Sequence, residues 1–170
     1  MGVVRYCFRN LPKEFYSFEA NPFNYEVARS VLHRGKIFNV ELLNLAIGNA
    51  DGRILLNTSG KWSDNAVASI TGIRGQRYDS QIEVRIRKLD SLGVVPDILV
   101  VDAEGSELDI LEGGSACLEN LKGLIVETHS IGSIHTLPKV EAWAKERFHY
   151  VRRVDEVSEA PWVLAKRRRR

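Results

Sequence analysis

The stretch Ile98-Leu99-Val100-Val101-Asp102-Ala103-Glu104-Gly105-Ser106-Glu107-Leu108-Asp109-Ile110-Leu111 decides how the rest of the chain is read. Four apolar residues run into an acidic Asp-x-Glu-Gly turn, and beyond it Leu108 and Leu111 recur at helical spacing. The pattern predicts a buried strand, a sharp loop and an amphipathic helix. In open α/β sheets ligands bind beyond the carboxyl ends of the strands. Asp102 and Glu104 would then stand at the mouth of a site. A second such unit lies upstream, Phe15-Tyr16-Ser17-Phe18-Glu19-Ala20-Asn21-Pro22, again a strand, an acid and a helix start. Two acidic strand ends on one sheet point to a pocket for a hydroxyl-rich or cationic ligand.

Working outward, Asn21 is a good N-cap and Pro22 suits the first helical position. Tyr25, Ala28, Val31 and Leu32 then form a helical stripe that Gly35 stops. Val40 to Leu45 predicts another buried strand, Asn49 to Gly52 a turn, and Arg53 to Leu56 a strand after it. Asn57 to Asp79 is irregular and rich in Gly, Ser, Asn and Asp, the composition of a long functional loop. Ile82, Val84 and Ile86 alternate with polar residues, as in a half-exposed strand at an edge.

Downstream of the central stretch, Gly113-Gly114 ends the helix and Leu118 to Leu121 makes a short turn. Leu124 to Val126 predicts a strand running into Glu127-Thr128-His129. Thr136 can cap a helix carrying Val140, Trp143 and Ala144 on one face. Tyr150-Val151 and Trp162 to Leu164 read as two closing antiparallel strands. Strands alternating with helices predict one doubly wound α/β sheet, mostly parallel, with an antiparallel C-terminal strand pair.

Composition bounds the function. With 170 residues and 44% hydrophobic residues, a single domain spanning 1–170 is expected. No apolar run approaches the roughly 18 residues of a membrane helix. No signal peptide and no membrane partner are expected. Cys7 and Cys117 lack the spacing of a zinc site or disulfide framework, which fits a cytoplasmic protein. A net charge of +2 does not imply nucleic acid. The basic run Lys166 to Arg170 could attract phosphates, but the expectation is a solvated, disordered tail. No G-x-G-x-x-G occurs, so nothing supports a nicotinamide cofactor. The Asp-x-Glu-Gly turn offers oxygen ligands for a divalent cation, but two carboxylates alone are a weak signal and no metal site is expected.

Five segments follow one another: Phe18-Glu19-Ala20-Asn21-Pro22, Asn44-Leu45-Ala46-Ile47-Gly48, Leu89-Asp90-Ser91-Leu92, Val101-Asp102-Ala103-Glu104-Gly105-Ser106-Glu107 and Ile125-Val126-Glu127-Thr128-His129. In this order, from Phe15 to His129, the chain resembles the FkbM family of S-adenosylmethionine-dependent methyltransferases. The resemblance implies a Rossmann-like class I methyltransferase sheet, S-adenosylmethionine as cofactor, and O-methylation of a hydroxyl on a sugar or other small-molecule acceptor. It would place Glu19 on the ribose, where a carboxylate can accept from two vicinal hydroxyls. A surface acid beside a helix N-terminus would look the same at that position. Asn21 would shape the loop beneath the cofactor, and Asn44 and Ala46 would lie near the adenine. Asp102 and Glu104 would close the site near the methionine end or the acceptor, where carboxylates suit a cationic sulfonium and amine. Glu127 and His129 would face the acceptor, with His129 able to take a hydroxyl proton. Glu107 reads as a structural, capping-type acid.

The family's first strand and glycine-rich loop have no counterpart here, since Gly2 is the only glycine before Gly35. Gly2 to Arg9 matches best the tail of the helix that follows that loop. The expectation is therefore an N-terminally truncated domain lacking the strand between those of Glu19 and Asp102. Such a chain would bind cofactor weakly or not at all. A non-catalytic remnant or binding module is the alternative to an enzyme.

Overall fold

The structure is a computed structural model that describes residues 14–58, 80–131, 134–155 and 160–167. The expectations for Gly2 to Arg9, for the loop from 59 to 79 and for the end of the basic run at 168–170 lie outside the described residues.

Strand β1 (Phe15–Glu19) leads into helix α1 (Pro22–Arg34), and β2 (Val40–Asn44) returns parallel to β1 with Glu19 opposite Asn44. Helix α1 starts and stops where its sequence dictates. The Asn21 side chain accepts from the Phe23 N–H at 3.0 Å, Pro22 needs no donor there, and Gly35 closes the last turn. The expected stripe is only partly buried: Leu32 is covered, whereas Val31 is exposed, as are Phe23 and Val27.

After β2 the chain changes partners. The short strand β3 (Ala46–Ile47) pairs with β5 (Ser80–Arg87), not with β1. Strand β4 (Gly52–Thr58) runs antiparallel to β5, so Asn57 and Thr58 extend a strand rather than opening the loop. In this three-stranded sheet, order β3-β5-β4, β5 is central. The expected edge position is thus corrected. Its alternating burial is as predicted, but alternation reports faces, not neighbours.

Strand β6 (Ile98–Val101) feeds the Asp-x-Glu-Gly turn and helix α2 (Glu107–Gly113). Strand β7 (Gly123–Glu127) lies parallel to β6, with Val101 opposite Val126. A small hairpin, β8 (Ser130–Ile131) and β9 (Ile134–His135), precedes helix α3 (Thr136–Arg147). Strands β10 (Tyr150–Val154) and β11 (Trp162–Lys166) close the chain as the expected antiparallel pair, and β11 also runs antiparallel to β7. The four-stranded order is β10-β11-β7-β6.

The fold is mixed α/β, built from sheets of parallel and antiparallel strands. Among the described residues the strands are not joined into the one mostly parallel sheet expected. Three of the seven strand pairings among the described residues are parallel, and the strands fall into four sheets. Among the described residues β1 pairs only with β2, and β6 only with β7. Ile98 and Val100 on β6 remain 40% and 43% exposed, unlike the doubly covered strands of an ordinary parallel sheet.

The main core packs Val101, Leu124, Val126 and Val163 of the four-stranded sheet against Leu111, Leu118, Leu121, Val140 and Ala144. A smaller cluster, Ala46, Leu56, Val84 and Ile86, fills the three-stranded sheet. The two regions touch through backbone: a Cβ on Gly113 would collide with the Gly48 carbonyl. The Leu89-Asp90-Ser91-Leu92 segment is a 3-10 turn whose Asp90 accepts from the Cys117 N–H at 2.8 Å and the Ala116 N–H at 3.2 Å. Asp51 accepts from the Lys88 N–H at 2.8 Å and the Ser91 hydroxyl at 2.7 Å, tying the β3–β4 turn to that segment. No helix among the described residues is long and apolar enough to cross a membrane.

Candidate active site

The carboxyl ends of β6 and β7 lie side by side, and the acids and the histidine of the two loops meet there. The turn after β6 is made by two successive residues in the left-handed region, Glu104 at φ 48° and Gly105 at φ 98°. Glycine adopts this freely, whereas a side-chain residue gives up about 1–2 kcal/mol. The reversal turns α2 back so that Glu107, its first residue, is wholly buried.

Glu107 Oε1 accepts from the Gly105 N–H at 3.0 Å and lies 2.6 Å from His129 Nδ1. Burial works against the Glu107 charge, but the bonds from His129 and Gly105 outweigh it and hold the carboxyl below its ordinary pKa. An ionised carboxylate only accepts, so Nδ1 carries the proton and Nε2 is the outward nitrogen. His129 Nε2 stands 3.8 Å from Asp102 Oδ1 and 3.7 Å from Glu104 Oε2. Burial also opposes a charged His129. The Glu107 bond and the charges of Glu107, Glu104 and Asp102 overcome it and raise the imidazole pKa. Glu104 is pushed up too, by burial first and then by Asp102, Glu107 and Glu127, against the pull of His129.

The His129 backbone is equally fixed. Its N–H donates to Thr136 Oγ1 at 2.9 Å, and its carbonyl accepts from the Thr136 N–H at 3.1 Å. Thr136 therefore clamps His129 instead of capping α3, whose cap residue is His135. Thr128, one residue earlier, bonds to the Pro161 carbonyl through both its N–H and its hydroxyl. The ligand atoms of Asp102, Glu104 and His129 all lie within 4.8 Å of one another, so among the described residues these three could hold a cation.

The other half of the expected site stands on β1 and β2. Glu19 Oε1 accepts from the Asn21 N–H at 2.8 Å, and partial burial raises the Glu19 pKa despite that bond. Asn21 is fully buried, with its Nδ2 unpartnered among the described residues. The Asn44 amide donates to the carbonyls of Glu19 at 2.9 Å and Ala20 at 3.1 Å, so its side chain locks the end of β2 to the end of β1. Ala46 lies in the core of the three-stranded sheet. Glu127 ends β7 and is close enough to influence Glu104. The structure thus gathers Asp102, Glu104 and His129, with Glu127 near them, while Glu19, Asn21 and Asn44 form a second group on another sheet. Glu107, read from the sequence as a structural, capping-type acid, accepts from the Gly105 N–H and also holds the His129 ring, a contact the sequence did not reveal. Its signal was its place directly after the Asp-x-Glu-Gly turn, but its partner lies 22 residues away.

The family model of the methyltransferase FkbM domain matches residues 3–152. The chain belongs to the FkbM methyltransferase family. A crystal structure of methyltransferase FkbM from Methylobacillus flagellatus KT superposes on this FkbM chain with a TM-score of 0.59 at 14% identity, a level at which the likeness speaks for fold alone. The match covers 89% of this chain and 36% of that one, so the chain spans about a third of the length of the solved relative. No curated protein matches the chain.

Proposed function

We propose that this FkbM chain is an S-adenosylmethionine-dependent methyltransferase domain of the cytoplasm that O-methylates a hydroxyl on a sugar or other small molecule. In this reading the β2-β1 pair and the β6-β7-β11-β10 sheet are the halves of one Rossmann-like sheet. The observation that carries it is the convergence of Asp102, Glu104 and His129 beyond adjacent parallel strand ends, where such sheets bind ligands.

The residues suit the cofactor at its ribose corner. Glu19 offers acceptor oxygens at the end of β1, and Asn21 beside it in the chain keeps a buried amide donor with no partner among the described residues. Glu19 and Asn21 would hold the ribose, and Asn44 keeps their loop in place. When bound, S-adenosylmethionine supplies the methyl group. The chain's own task is positioning and handling the hydroxyl proton. His129 and Glu127 stand at the acceptor side for this, with Asp102 and Glu104 providing negative charge.

The test is calorimetric titration of the chain with S-adenosylhomocysteine beside a Glu19→Ala variant. Saturable binding that disappears in the variant supports the reading, and no binding by a folded chain refutes it. One observation favours a second reading, a non-catalytic methyltransferase-like binding module. Among the described residues, strands β1 and β6, which carry the two halves of the site, are not paired in one sheet.

A further inference from the structure

We propose that Asp102, Glu104 and His129 form a binding site for a divalent cation of the Mg²⁺ or Mn²⁺ class. The site stands on this geometry. What the ion would do there rests on the methyl-transfer reading above.

The donor set is two carboxylate oxygens and one imidazole nitrogen. Carboxylates suit Mg²⁺ and Mn²⁺, while imidazole extends the range toward the later transition metals, so Mn²⁺ satisfies both. Metal–oxygen bonds of about 2.1 Å set neighbouring ligand atoms about 3 Å apart. The observed 3.8 and 3.7 Å from Nε2 to the two carboxylates need to close by under an ångström. A cation supplies the attraction for that contraction, because Asp102 and Glu104 otherwise repel each other.

Two features beyond the cluster itself point to a cation. Metal-binding histidines almost always donate their second nitrogen to a carboxylate or carbonyl, which fixes the ring and raises its basicity. Glu107 does this for His129 from a wholly buried position. Glu107 Oε2 is also buried with no hydrogen-bond partner among the described residues. A buried carboxylate left half-satisfied is costly unless positive charge stands near it. Asp102, Glu104 and Glu107 stand around the one His129 ring, and a divalent ion would bring a second cationic partner to these carboxyl groups. An entry path exists, since the Asp102 side chain is 56% exposed.

Three protein ligands leave the remaining positions of an octahedral ion to water and ligand oxygens. A hydroxyl bound there has its pKa lowered by the cation. With Nε2 spent on the ion, the hydroxyl proton would pass to Glu127, and the oxygen would form its bond to the methyl group as the S–CH3 bond of the sulfonium breaks, leaving S-adenosylhomocysteine. The acceptor class this favours is one with two neighbouring oxygens, such as a vicinal diol of a sugar, which can chelate the ion.

The decisive experiment titrates the metal-free chain with Mn²⁺ and follows free Mn²⁺ by electron paramagnetic resonance. One saturable site is expected, displaced by excess Mg²⁺. Asp102→Asn and His129→Asn should each weaken it at least about tenfold. Asp97→Asn, an exposed acid paired with Lys122, should leave it unchanged. Asp102 is exposed enough for its variant to fold, so that variant decides if His129→Asn does not. Absence of a saturable site, or equal affinity in Asp102→Asn, overturns the proposal. The S-adenosylhomocysteine titration is run without metal, so the two readings fail separately.

Discussion

Replacing Glu107 with Gln asks how much the buried acid contributes to the fold and to the state of His129. The substitution keeps the shape and one acceptor oxygen, so the Gly105 N–H can stay satisfied. It removes the charge that faces Nδ1 at 2.6 Å. Hydrogen bonds to charged groups contribute about 1.5–3 kcal/mol, so the variant should lose about that much at its worst pH. The pH dependence follows from the two shifts. Glu107 is held below its ordinary pKa, so its contribution exists above the unfolded carboxyl value and fades as pH falls through the folded one. His129 is raised, so its contribution is complete below the unfolded imidazole value and fades as pH rises through the folded one. The gap between the two proteins should therefore be widest near pH 5–6, between the ordinary carboxyl and imidazole pKa values of about 4.3 and 6.5. It should narrow in both directions. Urea unfolding of the metal-free chain across that range measures the gap, and an NMR titration of His129 should show a lower pKa in the variant. A gap that is flat with pH, or a His129 pKa that does not fall, would mean that the Glu107 charge does not act on His129.

Two further outcomes are expected. Gly113→Ala drives a methyl into the Gly48 carbonyl and should cost about 1–3 kcal/mol by thermal or urea unfolding, because backbone cannot yield as a side-chain tip can. Wild-type stability in that variant would mean the Gly48–Gly113 approach is not a tight one. The Cys117 thiol is pushed up to about 12, by burial first and then by the bond to Asp90, so little thiolate exists at neutral pH. Peptide-resolved alkylation of the native chain at pH 8 should leave Cys117 unmodified until denaturant is added, and rapid native labelling would contradict its placement.

Local signals in the sequence carried well where the cause was local. Asn21-Pro22 and Gly35 bound α1 because capping and ring geometry act within a turn of the chain. The run from Ile98 to Leu111 yielded β6, the turn and α2 for the same reason. What failed depended on partners far away in sequence. The apolar run from Val40 to Leu45 gave no sign that the chain leaves β1 after Asn44 and joins β5 at Ala46. Nor did alternation in β5 show that strands flank it on both sides. Within the site, the acids and His129 were visible as strand-end residues. Their convergence was not, because it needs β6 and β7 in register and Thr136 against the His129 backbone. Asn44 had the right place, but its amide is committed to two carbonyls of the neighbouring strand end.

The separation of β1 from β6 bears on how a ligand would be felt by the whole molecule. Glu19 and Asn44 ride on the two-stranded sheet, and Asp102 and His129 on the four-stranded one. No backbone ladder couples the two plates among the described residues, and Phe18 and Leu43 of the smaller one pack against the main core instead. A molecule long enough to touch both would act as a rivet. Its binding would slow amide exchange along β1 and β6 together, where a ligand held by one sheet alone would protect only that sheet.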